Sequence, residues 1–320
     1  MNRFAFVATA VAALFITGAA SAQSIGVGTG PQASLTNRLG SGVAKVIADG
    51  AGLNTRAVPH TSNAHHTPLV EKGNITFGVS STGDINDALA GRNAFEGHPV
   101  SKDWVIASRL VPLPVGTLVR ADSPYKTLAD MKGKKYACGF TAHKTVKVIL
   151  DAYLANAKMS ENELDCVNVP NTSAGTELFL KGNIEGTPSS LGGARLRNAA
   201  AKVGGIRILK MDNSAEGVAA MQKEYPGSYL VKLDEKTPGV EGETWTMAFD
   251  MVLMTSTKTP EDVVYKSVKA LYEGKDGLVK VSPVFRSFNP KNMLVKIPGV
   301  DIHPGAMKFY KEMGLTQGGS

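Results

Sequence analysis

Hydrophobic positions along the chain recur with two different spacings. Leu35, Leu39, Val43, Val46 and Ile47 fall at helical intervals, and Gly50 and Gly52 stop the run, which predicts a helix. A short β-like run at 23–28 enters it through the loop 28–34. Strands are predicted at 53–58, ending at Pro59, and at 75–79, with a short helix between them that breaks near Pro68 and is capped by Gly73. This alternation of strand, loop and helix implies a parallel sheet with right-handed crossovers.

Beyond that region the pattern changes. Apolar runs at 104–110 and 115–120 have no helix before the second. A short helix at 127–131, a strand at 135–139 and an amphipathic helix carrying Val146, Ile149, Leu150, Tyr153 and Leu154 follow. A strand at 166–169, a helix at 173–181 and a strand at 206–210 continue a second α/β unit. Trp245, Met247, Phe249, Met251 and Leu253 alternate with smaller or polar residues over 244–255, a strand long enough to pass between lobes. Pro260 then opens a helix carrying Val263, Val264, Val268 and Leu271. The expected organisation is lobe 1 from 23–120, lobe 2 from 121–245, and 246–320 as the return strand with the rest of lobe 1.

Composition narrows the class. At 320 residues the chain has material for about two domains. With 20% charged residues and a mean hydropathy of −0.05, it fits neither a disordered chain nor a polytopic membrane protein. The first residues carry an address. Met1, Asn2 and Arg3 precede an apolar stretch at 4–20, and Ala20, Ser21 and Ala22 form an A-x-A cleavage site, so residues 1–22 are expected to be a cleaved signal peptide. The net charge of +7 is scattered, and its densest cluster, Lys132, Lys134 and Lys135, reads as a solvated turn. Aromatics make up 7% of the chain, too few for the stacked surface of a nucleic-acid binder.

Export permits a disulfide. Cys138 and Cys166 fall on strands that could be parallel neighbours, with a register offset of about two residues, roughly 7 Å along the strand. The residues leave open a disulfide or two buried thiols.

Three loops that lead into helices are rich in donors and offer unpaired backbone N–H groups at a positive helix end. They supply Thr29, Gly30, Pro31 and Gln32; His60, Thr61, Ser62 and Asn63; and His143, Lys144 and Thr145. Capping alone accounts for each loop taken singly. Ser80 and Ser81 after a strand, together with Ser190, complete the candidate set. Two lobes joined by crossing strands place such loops around a cleft, and the set reads as a site for an anion.

Other chemistries find less support. The chain lacks G-x-S-x-G, HExxH, C-x-x-C and a P-loop, and 26–31 fails the dinucleotide fingerprint at Pro31. No catalytic residue and no cofactor is assigned. His60, His65 and His66 lie close in sequence, but adjacent His65 and His66 on a helix point about 100° apart, so surface or capping roles are expected rather than a metal site.

The segment 119–135, from Val119 and Arg120 through Leu128, Asp130 and Met131, resembles the lobe-crossing segment of periplasmic solute-binding proteins. Pro260, Glu261 and Asp262, with the stretch Ile302, His303, Pro304, Gly305, Ala306, Met307, resemble the TAXI type of receptor, the binding subunit of one branch of TRAP transporters. That resemblance implies a two-lobed α/β fold of type II-like form, a periplasmic location and a monomer. It also implies a ligand that closes the lobes and is delivered to membrane permease subunits. Glutamate and related carboxylates are the ligands it would imply. The family's small-and-tyrosine stretch in the first loop, its Gly-Gly-Ser in the second and its Gly-Ser-Gly-Thr in the third are replaced here at 31–35, 60–63 and 142–144, with Thr145 alone retained. Gln32 offers an amide, and His60, His143 and Lys144 add bulk and positive charge, so the expected ligand is a small organic anion of the carboxylate class that is not a standard amino acid. The first turn could equally carry Lys144 out to water. Two alternatives are an input protein for a sensor kinase, which would read the same closure, and a secreted hydrolase.

Overall fold

A computed structural model of the chain describes residues 24–32, 34–97, 103–141 and 144–316. The predicted signal peptide lies outside the described residues. Among the described residues, ten strands form one mixed sheet, ordered β2-β1-β3-β10-β4-β7-β5-β6, with β8 beside β4 and β9 beside β10.

In the first half, β1 (Ile25–Thr29) pairs in parallel with β2 (Thr55–Pro59) and β3 (Phe77–Ser81), and α1 (Leu35–Ala51), α2 (Asn63–Glu71) and α3 (Thr82–Ala90) connect or follow them. Ser34 caps α1 by accepting from the Asn37 N–H, and Gly52 ends it in the left-handed region at φ 65°. One face of this half packs α1 into the main core through Leu39, Val43 and Ile47. The other face holds a second cluster in which Val70 of α2 and Ile85 of α3 meet Phe95, Trp104 and Met254.

The chain leaves this half on β4 (Trp104–Arg120) and enters a second α/β layer. That layer comprises β5 (Lys135–Gly139), α4 (Lys144–Asn156), β6 (Asp165–Val169), α5 (Thr172–Leu180), β7 (Gly186–Ser190), α6 (Gly193–Val203), β8 (Ile206–Ile208), α7 (Ala215–Glu224) and β9 (Tyr229–Lys232). It returns on β10 (Trp245–Ser256), and α8 (Glu261–Glu273), α9 (Lys275–Val281) and α10 (Pro304–Glu312) pack back on the first half. Two lobes are therefore joined by the antiparallel pair β4 and β10, whose register runs from Ser256 opposite Trp104 to Ala248 opposite Pro114.

The sequence pattern does not announce α3, α6, α7 or β9, and the structure departs from it further at β4 and β7. The apolar runs at 104–110 and 115–120 are one 17-residue strand. Pro112 and Pro114 break the apolar pattern, and they lack N–H donors, but a proline carbonyl still accepts: Leu191 N–H donates to Pro114 at 2.9 Å. Strand β7 has the sequence Gly-Thr-Pro-Ser-Ser, with no apolar alternation to announce it. It is buried because it is sandwiched between β4 and β5, which supply its ladder bonds. Cys138 and Cys166 are joined as a disulfide across β5 and β6. Their register is offset, Cys138 facing Asn168 and Cys166 facing Tyr136, yet the Cα atoms are 5.4 Å apart, within disulfide reach.

Candidate ligand cleft

The connecting strands build the floor of the cleft. Leu113 and Val115 on β4, and Phe249 and Met251 on β10, are spaced by two residues and so share one face of the sheet. Leu113 lies directly opposite Phe249. Above this floor lies a cavity of about 660 Å³ between the lobes. Its rim is made where α1, α2 and α3 start in one lobe and α4 starts in the other, and the first turn of a helix carries N–H groups without intrahelical partners and a partial positive charge.

Eight of the sequence-predicted residues line this cavity: Pro31, Thr61, Ser62, Asn63, Ser81, Lys144, Thr145 and Ser190. Others lie behind it. Thr29 is fully buried, its hydroxyl donating to the Gly30 carbonyl at 3.0 Å and accepting from Asn37 Nδ2 at 3.1 Å, and its methyl group fills the space left by Gly40 of α1. The Gly30 N–H donates to Thr36 Oγ1 at 3.0 Å, which closes the first loop on itself. Gln32 is exposed and outside the lining, and Ser80 is buried because neighbouring strand residues face opposite ways and Ser81 takes the cleft side. His143 lies outside the described residues.

His60 also stands behind the rim, with its ring 5.9 Å from that of His66. His66 is completely buried against Gly28 and Gly78, where any side chain in place of either glycine would strike the imidazole. Burial, followed by the proximity of His60, pushes the His66 pKa down to about 4. Burial and then His65 lower that of His60 as well. His65 meets the Thr61 hydroxyl instead.

One residue absent from the sequence expectations dominates the polar side of the cleft. Asp84, in the first turn of α3, is buried and accepts from Asn63 Nδ2 at 2.7 Å and from Thr145 Oγ1 at 3.1 Å. Asn63 starts α2 in the same lobe, whereas Thr145 starts α4 across the gap, so the carboxylate bridges the lobes. A signal for it existed, because Ser81 and Asp84 have the S-x-x-D spacing of a capping box. Ser81 Oγ does accept from the Asp84 N–H at 3.0 Å, but the carboxylate turns outward to the two neighbouring helices. Two further contacts cross between the lobes nearby. Asn86 Nδ2 donates to the Pro226 carbonyl, and the fully buried Tyr225 ring packs where Gly83 has no side chain.

At the hinge, Arg109 of β4 donates from Nε to Asp250 Oδ1 of β10 at 2.8 Å and from Nη2 to the Tyr229 hydroxyl of β9 at 2.6 Å. Tyr229 in turn donates to the same carboxylate oxygen at 2.7 Å. Burial raises the Asp250 pKa, and it outweighs the opposing pull of Arg109 and Tyr229.

Comparison with known proteins agrees with this architecture. The model of the NMT1-like family matches residues 27–314. Among solved structures, the periplasmic sulfonate-binding protein SsuA from Methylobacillus flagellatus is 13% identical, with a TM-score of 0.51 over 93% of this chain and 98% of that one. A TctC solute-binding protein from Polaromonas is 16% identical, with a TM-score of 0.53 over 84% of this chain and 88% of that one. At these identities the likeness concerns the fold. The chain belongs to the NMT1-like family and has the two-lobed α/β fold of periplasmic solute-binding proteins.

Proposed function

We propose that this protein is the extracytoplasmic solute-binding subunit of a TRAP transporter of the TAXI type, which captures a small organic anion by lobe closure and presents it to membrane permease subunits. The observation that carries the reading is the interlobe cavity, floored by the two connecting strands and ringed by four helix starts. Helix starts favour negative charge, and the cavity volume suits a small molecule. Lys144, exposed on the rim at the start of α4, adds a positive charge. The resemblance at 260–262 and 302–307 supports the TAXI affiliation and, with residues 1–22 read as a leader, a periplasmic monomer. Residues 23–120 with 246–320, and 121–245, are taken as the two lobes that close.

A thermal-shift screen of ligand-stripped protein against carboxylates and sulfonates tests the reading. A ligand at 100 times its dissociation constant adds about 2.7 kcal/mol. That amounts to a shift on the order of 5 °C for a protein of this size. Lys144→Met is expected to weaken the response to an anion. A folded protein that no anion stabilises would sink the reading.

A further inference from the structure

Polar and apolar groups are segregated within the cleft. The rim holds the helix starts, Lys144 and the Asp84 bridge, whereas the floor and back wall are formed by Phe95, Val115, Ile149, Phe249 and Met251. All five of these side chains are buried hydrophobic groups that border open volume. The gradient is clearest along α4. Thr145, Ile149 and Tyr153 line the cavity at four-residue intervals, so one face of the helix passes from a hydroxyl at its start to an alkyl group and then to a phenol over about 12 Å.

Tyr153 adds an independent observation. Its ring is buried, and its hydroxyl has no hydrogen-bond partner among the described residues. It forms part of the wall between the cleft and a smaller cavity of about 270 Å³ in the second lobe. Long side chains on a helix lean toward its N-terminus, and for α4 that end is the cleft rim. A buried hydroxyl without a partner costs free energy until something supplies one.

A short, doubly polar ligand fits this distribution poorly. Its head group would find the rim, but its second polar end would lie on a mainly alkyl and aromatic surface whose hydroxyls, those of Ser189 and Ser190, sit to one side on β7. Two of the rim donors, the Asn63 amide and the Thr145 hydroxyl, are moreover engaged by Asp84, which leaves the remaining helix starts and Lys144 for a single anionic head.

We infer that the ligand is an amphipathic organic anion: one anionic head at the rim, an apolar body of about one aromatic ring on the floor, and a hydroxyl or similar polar group at the far end that partners Tyr153. This inference rests on the receptor reading above and specifies its ligand class.

Isothermal titration of the ligand-stripped full chain tests it with two series of probes. One holds acetate, succinate, glutamate and taurine; the other holds phenylacetate, 4-hydroxyphenylacetate and benzenesulfonate. Phenylacetate is expected to bind at least tenfold more tightly than acetate, and 4-hydroxyphenylacetate several-fold more tightly again. Tyr153→Phe removes no hydrogen bond among the described residues, so the variant is expected to fold, to keep its affinity for phenylacetate and to lose the advantage of the 4-hydroxyl. Binding of succinate, glutamate or taurine in preference to the ring-bearing anions would overturn the inference and leave the receptor reading standing. Binding of neutral phenylacetamide as tightly as phenylacetate would overturn the anionic head and, with it, the anion receptor. Equal affinity of wild type for the two phenylacetates would overturn the role given to Tyr153. Silence in both series from folded protein would overturn the inference and the receptor reading together.

Discussion

Asp250 at the hinge and Asp84 in the cleft are both buried carboxylates, and their partners come from different kinds of neighbour. Asp250 is held by Arg109 and Tyr229, which lie on strands hydrogen-bonded to its own. All three strands belong to one hydrogen-bonded sheet, so the network lies within the sheet and does not span the gap. Among the described residues Asp84 takes side-chain hydrogen bonds from two neutral donors, one from its own lobe and one from the opposite lobe. Opening the cleft removes Thr145 and leaves Asn63 in place. A charge that must stay paired is thus built into the continuous sheet, and a bond that can be exchanged with water is placed across the gap.

The largest effect is expected from Arg109→Ala. It strands a buried carboxylate, and breaking such a pair from one side costs about 3–5 kcal/mol in urea unfolding. Pairing it with Asp250→Asn should recover much of the loss, and a single-variant cost below about 1 kcal/mol would remove the structural role assigned to the hinge.

Removing the cross-link of the second lobe is the control that touches neither carboxylate. Cys138→Ser with Cys166→Ser opens a 28-residue connection and should lower stability by about 3–4 kcal/mol. Ligand affinity in the folded variant should stay unchanged. A large fall in affinity would show that the cleft depends on this lobe's internal staple.

The pH dependence separates the hinge from its surroundings. His66 titrates at about 4 in the folded chain, against 6.5 for a free imidazole, so the unfolded chain binds the extra proton between these values. Its contribution is present above pH 6.5 and is lost as pH falls toward 4, on the order of 3 kcal/mol. Asp250 has the opposite sign. Its raised pKa favours the fold below the ordinary carboxylate range, and that contribution is lost as pH rises through the folded value. His66→Leu should flatten the acid limb between pH 6.5 and 4 in denaturant titrations; an unchanged limb would mean that another group controls it.

The smallest effect is the most specific to the cleft. Thr145→Val deletes one hydrogen bond across the gap, worth about 1 kcal/mol, and should shift the open population several-fold. Small-angle scattering should show a larger mean radius with little change in the urea midpoint. If the radius is unmoved, the Asp84 bridge does not report lobe separation.

Much of the fold is legible along the chain because amphipathic helices and alternating strands are local patterns. The helix from Leu35, the strands at 75–79 and 135–139, and the return strand near Trp245 all follow from spacing alone. The unity of β4 is not legible, since Pro112 and Pro114 look like breaks until β10 and β7 are seen flanking them. Strand β7 is less legible still, because its burial comes entirely from its neighbours. The site divides in the same way. Loops at helix starts can be recognised by their small polar residues, and eight of those candidates face the cavity. Whether a given hydroxyl faces the ligand or caps its own loop depends on its partner, as Thr29 and Asn37 show.

The sequence by itself determined the two α/β units, the long connecting strand and the polar loops, since these depend on periodicities and capping residues a few positions apart. Only the tertiary structure decided that Asp84 bridges the lobes, that Asp250 is matched by Arg109, and that Tyr153 lies buried at the cleft wall without a partner among the described residues. Asp84 and Thr145 are 61 residues apart, and Arg109 and Asp250 are 141 apart. Electrostatic and hydrogen-bond partnerships act through space over a few ångströms, and sequence spacing carries no measure of that distance until the sheet has brought the strands together.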